Sequence, residues 1–312
     1  MSYNFGFFLR LRAARLLPLC RLVQGDPHGD GGTHRVQADK SLLTALVDRW
    51  RPETHTFHLP CGEVAPTLQD VAYLLGLPIA GMAVGPRVVH RTWVDDLEGR
   101  FAHVARRPEL GAPAPHPRQR LLGPQKVWLL QFQVCFSMQL YMNHAVFKKL
   151  VDSIADHVFF QTQALAHDAD EYSVSRSLEA YLLWLFGWVM FCNSHGHTVN
   201  KVLIEYAREI ADAAEEDVPQ WSWASAVLAA TYRGLCDACY KADQNAILTG
   251  CPLLLQLWAY ERIAVGRPLI DHSPYGPQLY GTTPEDRPTM GTIWCGRQVL
   301  RVLFLCFRVN AV

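Results

Sequence analysis

Residues 46–79 read LVDRWRPETHTFHLPCGEVAPTLQDVAYLLGLPI, and nearly every position in this stretch has a local structural role. From Thr54 to Leu59 the side chains alternate, which is the period of a β-strand and places His55, Phe57 and Leu59 on one face. Pro60-Cys61-Gly62 supplies turn residues, and Glu63 to Ala65 can return as a second short strand. The pattern therefore predicts one small β-hairpin near residues 54–66.

A short helix is predicted directly after this hairpin. Thr67 is a good N-cap, and Asp70, three residues later, places a carboxylate where the positive end of a helix favours it. Apolar residues then recur at helical spacing up to Leu75. Gly76 suits the left-handed position that ends many helices, and Pro78 prevents the helix from continuing.

The rest of the chain favours helices. Half of the 312 residues are hydrophobic and nine are Trp, so a large core is available. Apolar residues at three- and four-residue spacing predict helices at 9–23, 41–50, 93–104, 126–150, 151–166, 175–192, 199–215, 222–242 and 246–264. Residues 105–124, rich in Pro and Gly, read as an internal linker. The fold class is mainly α: a multi-helix single domain with one small β-hairpin.

Composition limits the compartment and the partners. The formal net charge is zero, which gives no electrostatic argument for a nucleic-acid or membrane partner. The nine cysteines are an odd, dispersed set, which argues against a secreted disulfide framework. The longest uninterrupted apolar run, Ala180 to Cys192, has 13 residues, too few for a membrane helix, so we expect no membrane partner. The first 25 residues contain four Arg and no acid, which also fits an organellar transit peptide.

Candidate metal sites are weak in this sequence. Residues 25–29, GDPHG, match the first metal motif of metal-dependent phosphoprotein phosphatases, but Val47-Asp48-Arg49 is an incomplete second motif. His55, His58 and Cys61 are closely spaced, yet His55 and His58 point to opposite faces of a strand. The remaining candidate sets are Cys192 with His195 and His197, and the pair Cys236 and Cys239. A single C-x-x-C within a helix is poor evidence for zinc, so no metal ligand is assigned.

Neither a cofactor nor a catalytic residue is assigned from the sequence. Pyridoxal-phosphate chemistry requires a Lys and a phosphate-binding cup, whereas the six lysines lie at predicted helix edges or polar faces with no Gly/Ser-rich cup after them.

Residues 67–77 are similar to the first helix and turn of a helix-turn-helix DNA reader. The following residues, PIAGMAVGPRVV, contain Gly and Pro in place of a recognition helix. A DNA-binding remnant of a transposon stays an alternative, and the four Arg within residues 105–124 are a weak candidate for phosphate contact.

The stretch at 46–79 and three later segments resemble the plant mobile domain, the MAIN-like family also labelled aminotransferase-like and associated with transposable elements. The later segments are AYLLWLFGWVMFCNSHGHTV (180–199), WSWASAVLAATYRGLCDA (221–238) and ILTGCPLLLQLWAYERIAVGRP (247–268). Family members usually carry Gly where this chain has Ala224. The resemblance covers about residues 8–270. Residues 271–312 diverge, and their apolar, basic ending looks like a truncated tail.

The resemblance implies a non-enzymatic nuclear protein. Its implied roles are transposon silencing, control of gene expression and maintenance of meristems or the genome, through protein partners that include a phosphatase-like protein. From the central stretch and the tryptophan-rich segment we expect interaction or scaffold roles for Trp50, Arg51, His58, Cys61, Gly62, Glu63, Asp70, Trp221 and Trp223. We also expect Arg51 and Glu63 to form an ion pair across the hairpin.

Overall fold

The computed structural model describes residues 5–24, 26–27, 33–34, 36–104, 123–129, 132, 170–193, 196–240, 248–264, 267–270, 289–295 and 298–300. Within these residues the ten α-helices are α1 (Phe5–Ala13), α2 (Leu17–Gln24), α3 (Lys40–Arg49), α4 (Leu68–Leu75), α5 (Trp93–Phe101), α6 (Lys126–Leu129), α7 (Glu171–Leu185), α8 (Leu203–Asp212), α9 (Trp223–Cys239) and α10 (Pro252–Arg262). A π-helical turn, Phe186–Met190, follows α7 directly. Two 3-10 helices span Glu215–Asp217 and Met290–Cys295.

The described strands are short. They are β1 (Asp26–Pro27), β2 (Thr33–His34), β3 (Trp50–Arg51), β4 (Thr56–Leu59), β5 (Gly62–Val64), β6 (Leu269–Ile270) and β7 (Gln298–Leu300). Strands β3, β4 and β5 form one antiparallel three-stranded sheet, and the others form two-stranded pairs, β1 with β2 and β6 with β7. The predicted fold class, mainly helical with one small sheet at the hairpin, is confirmed.

The sheet differs from the predicted hairpin in two ways. Trp50 and Arg51 add a third strand, in which Trp50 pairs with Phe57 and Arg51 with Thr56. The strand predicted from Thr54 begins only at Thr56, because residues 52–55 form a turn that places His55 at a φ of 55°. His55 therefore does not share a strand face with Phe57. Across the hairpin Phe57 pairs with Val64, and His58 with Glu63.

The single helix predicted at 9–23 is wrong, because the chain forms α1 and α2 with a break between them. Arg15 has a left-handed φ of 55° at the break. The Arg15 amide donates to the Arg12 carbonyl at 2.9 Å, and the Leu16 amide donates to the Leu11 carbonyl at 3.0 Å. This pair of bonds is the Schellman motif, and Leu11 and Leu16 are both buried, as its apolar contact requires. The motif usually carries Gly or Asn, so Arg15 gave no signal of a break.

Helix α3 matches the helix predicted at 41–50 to within one residue, whereas α5, α8, α9 and α10 are shorter than predicted. Helix α7 is buried at every residue from Val174 to Leu185, so it lies in the core rather than on its surface. The core is continuous among the described residues and extends from Phe7 in α1 to Cys295. The helices predicted at 126–150 and 151–166 lie largely outside the described residues, as does the linker predicted at 105–124.

Candidate functional site

The hairpin is attached to the core by two aromatic side chains. Trp50 and Phe57 are almost fully buried, and their ring centroids lie 4.8 Å apart. Phe57 stacks on Trp258 of α10 at 5.2 Å, and Trp50 meets the ring of Tyr232 of α9 edge-on at 5.1 Å. The Trp50 indole N–H lies 3.3 Å from the Cys236 sulfur. These contacts pack the sheet against both long C-terminal helices.

The outer face of the hairpin carries a small polar network. The Thr56 hydroxyl donates to the Glu63 carboxylate at 3.0 Å, and His58 Nε2 lies 3.6 Å from the same carboxylate. The predicted Arg51–Glu63 ion pair is wrong. Because the register pairs Glu63 with His58, the Arg51 guanidinium donates instead to the backbone carbonyls of Trp50 and Asp48.

The tip of the hairpin is exposed to solvent. Cys61 carries a free, exposed thiol, and Gly62 adopts a φ of +123° with nothing within 4 Å of where a Cβ would lie. His58 and Glu63, just behind the tip, are also exposed. We call His58, Cys61, Gly62 and Glu63 the hairpin rim. The rim and Arg51, which is also exposed, are the parts of the predicted site that an external molecule can touch.

Helix α4 begins with the predicted cap. The Thr67 hydroxyl accepts the Asp70 amide, and the Asp70 carboxylate accepts the Thr67 amide at 2.8 Å, which completes a capping box. Arg262 at the end of α10 donates to the other Asp70 oxygen at 2.6 Å. Burial opposes ionisation of Asp70, but the hydrogen bonds from Arg262 and Thr67 outweigh it and lower the pKa of this carboxyl group. Asp70 thus joins two helices by a charged contact.

Gly76 ends α4 at a φ of 69°, as predicted, and its position is also crowded. A Cβ at this residue would lie 2.5 Å from the Pro18 Cβ and 2.6 Å from the Thr289 Cγ2. Residues 76–92, all of which the structure describes, contain no helix. The recognition helix that a helix-turn-helix reader needs after α4 is therefore not formed there.

Trp221 and Trp223 lie in the core, so they do not form an exposed surface on which a ligand could stack. Both are buried, and Tyr206 of α8 contacts Trp221 at 4.9 Å and Trp223 at 6.0 Å between ring centroids. Backbone hydrogen bonds connect their segment to the chain after α4, since the Met82 amide donates to the Gln220 carbonyl and the Ala224 amide to the Pro78 carbonyl. We call the sheet β3–β5 and helix α4 the central unit. Residues 78–82 connect these tryptophans to it.

Several residues that complete this site were not expected from the sequence. Arg262 and Tyr232 are the main ones: Arg262 binds Asp70 from 192 residues further along the chain, and the Tyr232 hydroxyl donates to the Pro66 carbonyl at 2.6 Å. Cys239, considered above as half of a metal motif, has its thiol 3.5 Å from the Val47 carbonyl. Contacts at such separations leave no trace in local sequence patterns, so no signal in a single sequence identifies them.

The candidate metal and cofactor residues are only partly described. No group of three or more His, Cys, Asp and Glu side chains in the described ranges is placed to hold a metal ion. His28 of the GDPHG motif and His195 lie outside these ranges. Lys126 begins α6, a helix edge as predicted, but it is buried, with its ammonium 4.5 Å from the centroid of the Trp188 ring. Burial lowers the pKa of this amine.

Comparison with known families identifies the chain. A model of the plant mobile domain matches residues 31–298, which is most of the sequence. The chain belongs to the plant mobile domain family. The hairpin, α4 and the buried tryptophans thus all lie within the matched part of this plant mobile domain. No solved structure is significantly similar to it.

Curated relatives of this plant mobile domain are Arabidopsis thaliana proteins. "Serine/threonine-protein phosphatase 7 long form homolog" is 35% identical over 235 residues, which cover 75% of this chain and 14% of that protein. "Protein MAIN-LIKE 1" is 32% identical over 74% of this chain and 37% of its own length. "Protein MAINTENANCE OF MERISTEMS" is 27% identical over 75% of this chain and 39% of its own length. The chain therefore spans well under half of each of these relatives.

The structure also bears on membrane insertion. Among the helices in the described residues, none combines the length and the apolar character that a bilayer span requires.

Proposed function

We propose that this plant mobile domain is a non-enzymatic protein-interaction module of the plant nucleus. Its roles are transposon silencing, control of gene expression and maintenance of meristems, and its partner is a phosphatase-like protein. The names of two relatives support the meristem and phosphatase parts of this proposal, since they contain the words "maintenance of meristems" and "phosphatase 7 long form homolog".

The observation that carries the proposal is that the central unit has buried anchoring residues on one side and exposed residues on the other. Trp50, Phe57 and Asp70 are buried and hold the sheet and α4 against α9 and α10. The hairpin rim stays exposed on this rigid support, and Tyr73 on α4 and Met82 after it are exposed as well. An exposed turn held against the core suits recognition of another protein, because little ordering entropy is lost on binding.

The test is direct binding of the purified chain to the Arabidopsis phosphatase 7 long form homolog. We expect a complex with a Kd of about 1 μM, measured by biolayer interferometry. Replacing both His58→Ala and Glu63→Ala at the hairpin rim should weaken it about tenfold, as loss of a central contact does. Glu216→Gln, an exposed change in the 3-10 helix at 215–217, is the matched control and should bind like the wild type.

Two outcomes would count against this proposal. The first is the absence of a complex, or equal weakening by the rim variant and by Glu216→Gln, which would remove the hairpin rim from recognition. The second is hydrolysis of a phosphate ester by the purified chain that disappears in Asp26→Asn, because that would assign it metal-dependent phosphatase chemistry.

A further inference from the structure

A second candidate site lies away from the hairpin, beside the first turns of α7. It is a cavity of about 380 Å³ that opens to solvent between α5, α7 and α8. Its lining is mostly charged or polar: Arg100, Glu171, Tyr172, Ser175, Arg176 and Asp212. None of these residues belongs to the hairpin rim or contacts Asp70, so the cavity requires its own explanation.

The inner wall of the cavity holds more positive than negative charge. Glu179 is completely buried and accepts hydrogen bonds from two guanidinium groups, those of Arg100 at 2.6 Å and of Arg176. Arg176 itself has only 3% of its side chain exposed. One buried carboxylate thus serves two arginines, which leaves one positive charge of this triad without a buried counter-ion.

The remaining carboxylates are at the solvent edge. Asp212 pairs with Arg176 but has 47% of its side chain exposed, and Glu171 pairs with Arg10 and is 70% exposed. Arg176 is buried, so only the Asp212 carboxylate regains its hydration when the two separate. A phosphate, which carries more negative charge than a carboxylate, can therefore take the place of Asp212 beside Arg176.

The arginines also carry unused donors. Arg100 Nε and Arg176 Nε are buried and have no hydrogen-bond partner among the described residues. Buried N–H groups without partners are rare because each loses its hydration without compensation. Burial lowers the pKa of Arg176, and although Glu179 opposes this, the nearby charges of Arg100 and Arg208 add to it. Both observations indicate that buried groups compensate the charges of these two arginines incompletely.

We propose that this cavity binds a phosphate-type oxyanion, which displaces the Asp212 carboxylate and accepts hydrogen bonds from Arg100 and Arg176. The guanidinium fork matches the geometry of a phosphate and binds it through paired N–H donors. The cavity also has room for more than one phosphate group, so the phosphate monoester of a small molecule or of a phosphorylated side chain fits. This site is separate from the hairpin rim and does not depend on the proposed phosphatase-like partner.

The test is calorimetric titration of the full chain with inorganic phosphate, with sodium chloride at equal ionic strength as the reference. We expect saturable phosphate binding by the wild type. Asp212→Asn should tighten it about threefold because it removes the competing carboxylate, whereas Glu53→Gln, which removes one exposed charge on the β3–β4 turn, should not change it. Arg100→Gln should weaken it at least about tenfold by removing a charged donor. A parallel titration with O-phosphoserine distinguishes a phosphorylated side chain from the free ion as the ligand.

Asp212→Asn and Glu53→Gln each remove one negative charge, and comparing them keeps the test decisive even if Arg100→Gln does not fold. Saturable binding that Asp212→Asn tightens and Glu53→Gln leaves unchanged supports the site. Absence of saturable binding by both the wild type and Asp212→Asn overturns it. Equal tightening by Asp212→Asn and Glu53→Gln also overturns it, since the effect would then follow net charge and not the cavity.

Discussion

At the scale of the residue, Asp70 makes two stabilising contacts of the central unit at once. It is 6% exposed, it caps α4 through Thr67, and it binds Arg262 at the end of α10. The Arg262 side chain is largely exposed, so water screens its charge and the cap supplies most of the stabilisation. We expect Asp70→Asn to lower the free energy of unfolding by about 1–2 kcal/mol near neutral pH, measured by urea denaturation.

The effect of Asp70→Asn should also depend on pH with a definite sign. Because the pKa of Asp70 is lowered in the folded state, the carboxylate stabilises the protein above its ordinary pKa of 3.8. This contribution is lost as the pH falls through the lower folded value. The stabilities of the wild type and Asp70→Asn should therefore converge in acid. Asp95→Asn, at an exposed position in the first turn of α5, is the control. A gap between wild type and Asp70→Asn that stays constant down to about pH 2 would contradict this role.

At the scale of the element, replacing two glycines within helices by Ala distinguishes the effect of helix propensity on stability from the effect of packing. Gly99 lies in α5 with nothing within 4 Å of an added Cβ, whereas a Cβ at Gly234 in α9 would lie 2.2 Å from the Thr249 carbonyl oxygen. Gly99→Ala should stabilise the protein by about 0.5–1 kcal/mol through helix propensity alone. Gly234→Ala should destabilise it by about 2 kcal/mol, because the backbone of residue 249 must move.

Thermal unfolding of these two variants provides the measurement. Both replace Gly by Ala within a helix, so their difference in melting temperature reports only the contact of α9 with the chain at Thr249. Equal stabilisation by the two changes would mean that α9 does not approach Thr249 closely.

The elements that could be predicted from the sequence are those defined by neighbours in the chain. The Thr67–Asp70 capping box, the Gly76 end of α4 and the turn at Cys61-Gly62 all follow from local chemistry, and the structure contains them. The break at Arg15 was not predicted, and the predicted Arg51–Glu63 pair is wrong. The break depends on a left-handed residue that is not Gly, and the pair depends on the strand register, which places Glu63 opposite His58.

The candidate site was predictable to the same extent. The hairpin rim and the Asp70 cap could be chosen because they lie within one continuous stretch. Arg262 and the charged cavity could not, because their residues come from helices that are far apart in sequence. Glu179 illustrates the difficulty: its pair with Arg176 is local, but its second partner, Arg100, lies 79 residues away and leaves no trace in the local sequence.

At the scale of the whole molecule, the central sheet is part of one core that joins both ends of the described chain. Phe57 is fully buried between Trp50 of the sheet and Trp258 of α10, so the sheet and the C-terminal helices share side-chain contacts. Such a continuous core predicts that the sheet and helices unfold together and not as separate units. The aromatic contacts thus join the locally formed sheet and helices into one cooperative structure.

Phe57→Ala tests this cooperativity, because it removes a central side chain of the shared core. We expect it to cost about 3–5 kcal/mol and to lower the melting temperature of the whole protein in one transition. Circular dichroism, which reports the helices, and Trp fluorescence, which reports the core, should give the same midpoint. Tyr73→Ala, at an exposed residue of α4, should change stability by no more than about 0.5 kcal/mol. If Phe57→Ala lowered the fluorescence midpoint while the helical signal kept its wild-type midpoint, the hairpin would be an independent unit, and its role as a rigid support for the rim would be lost.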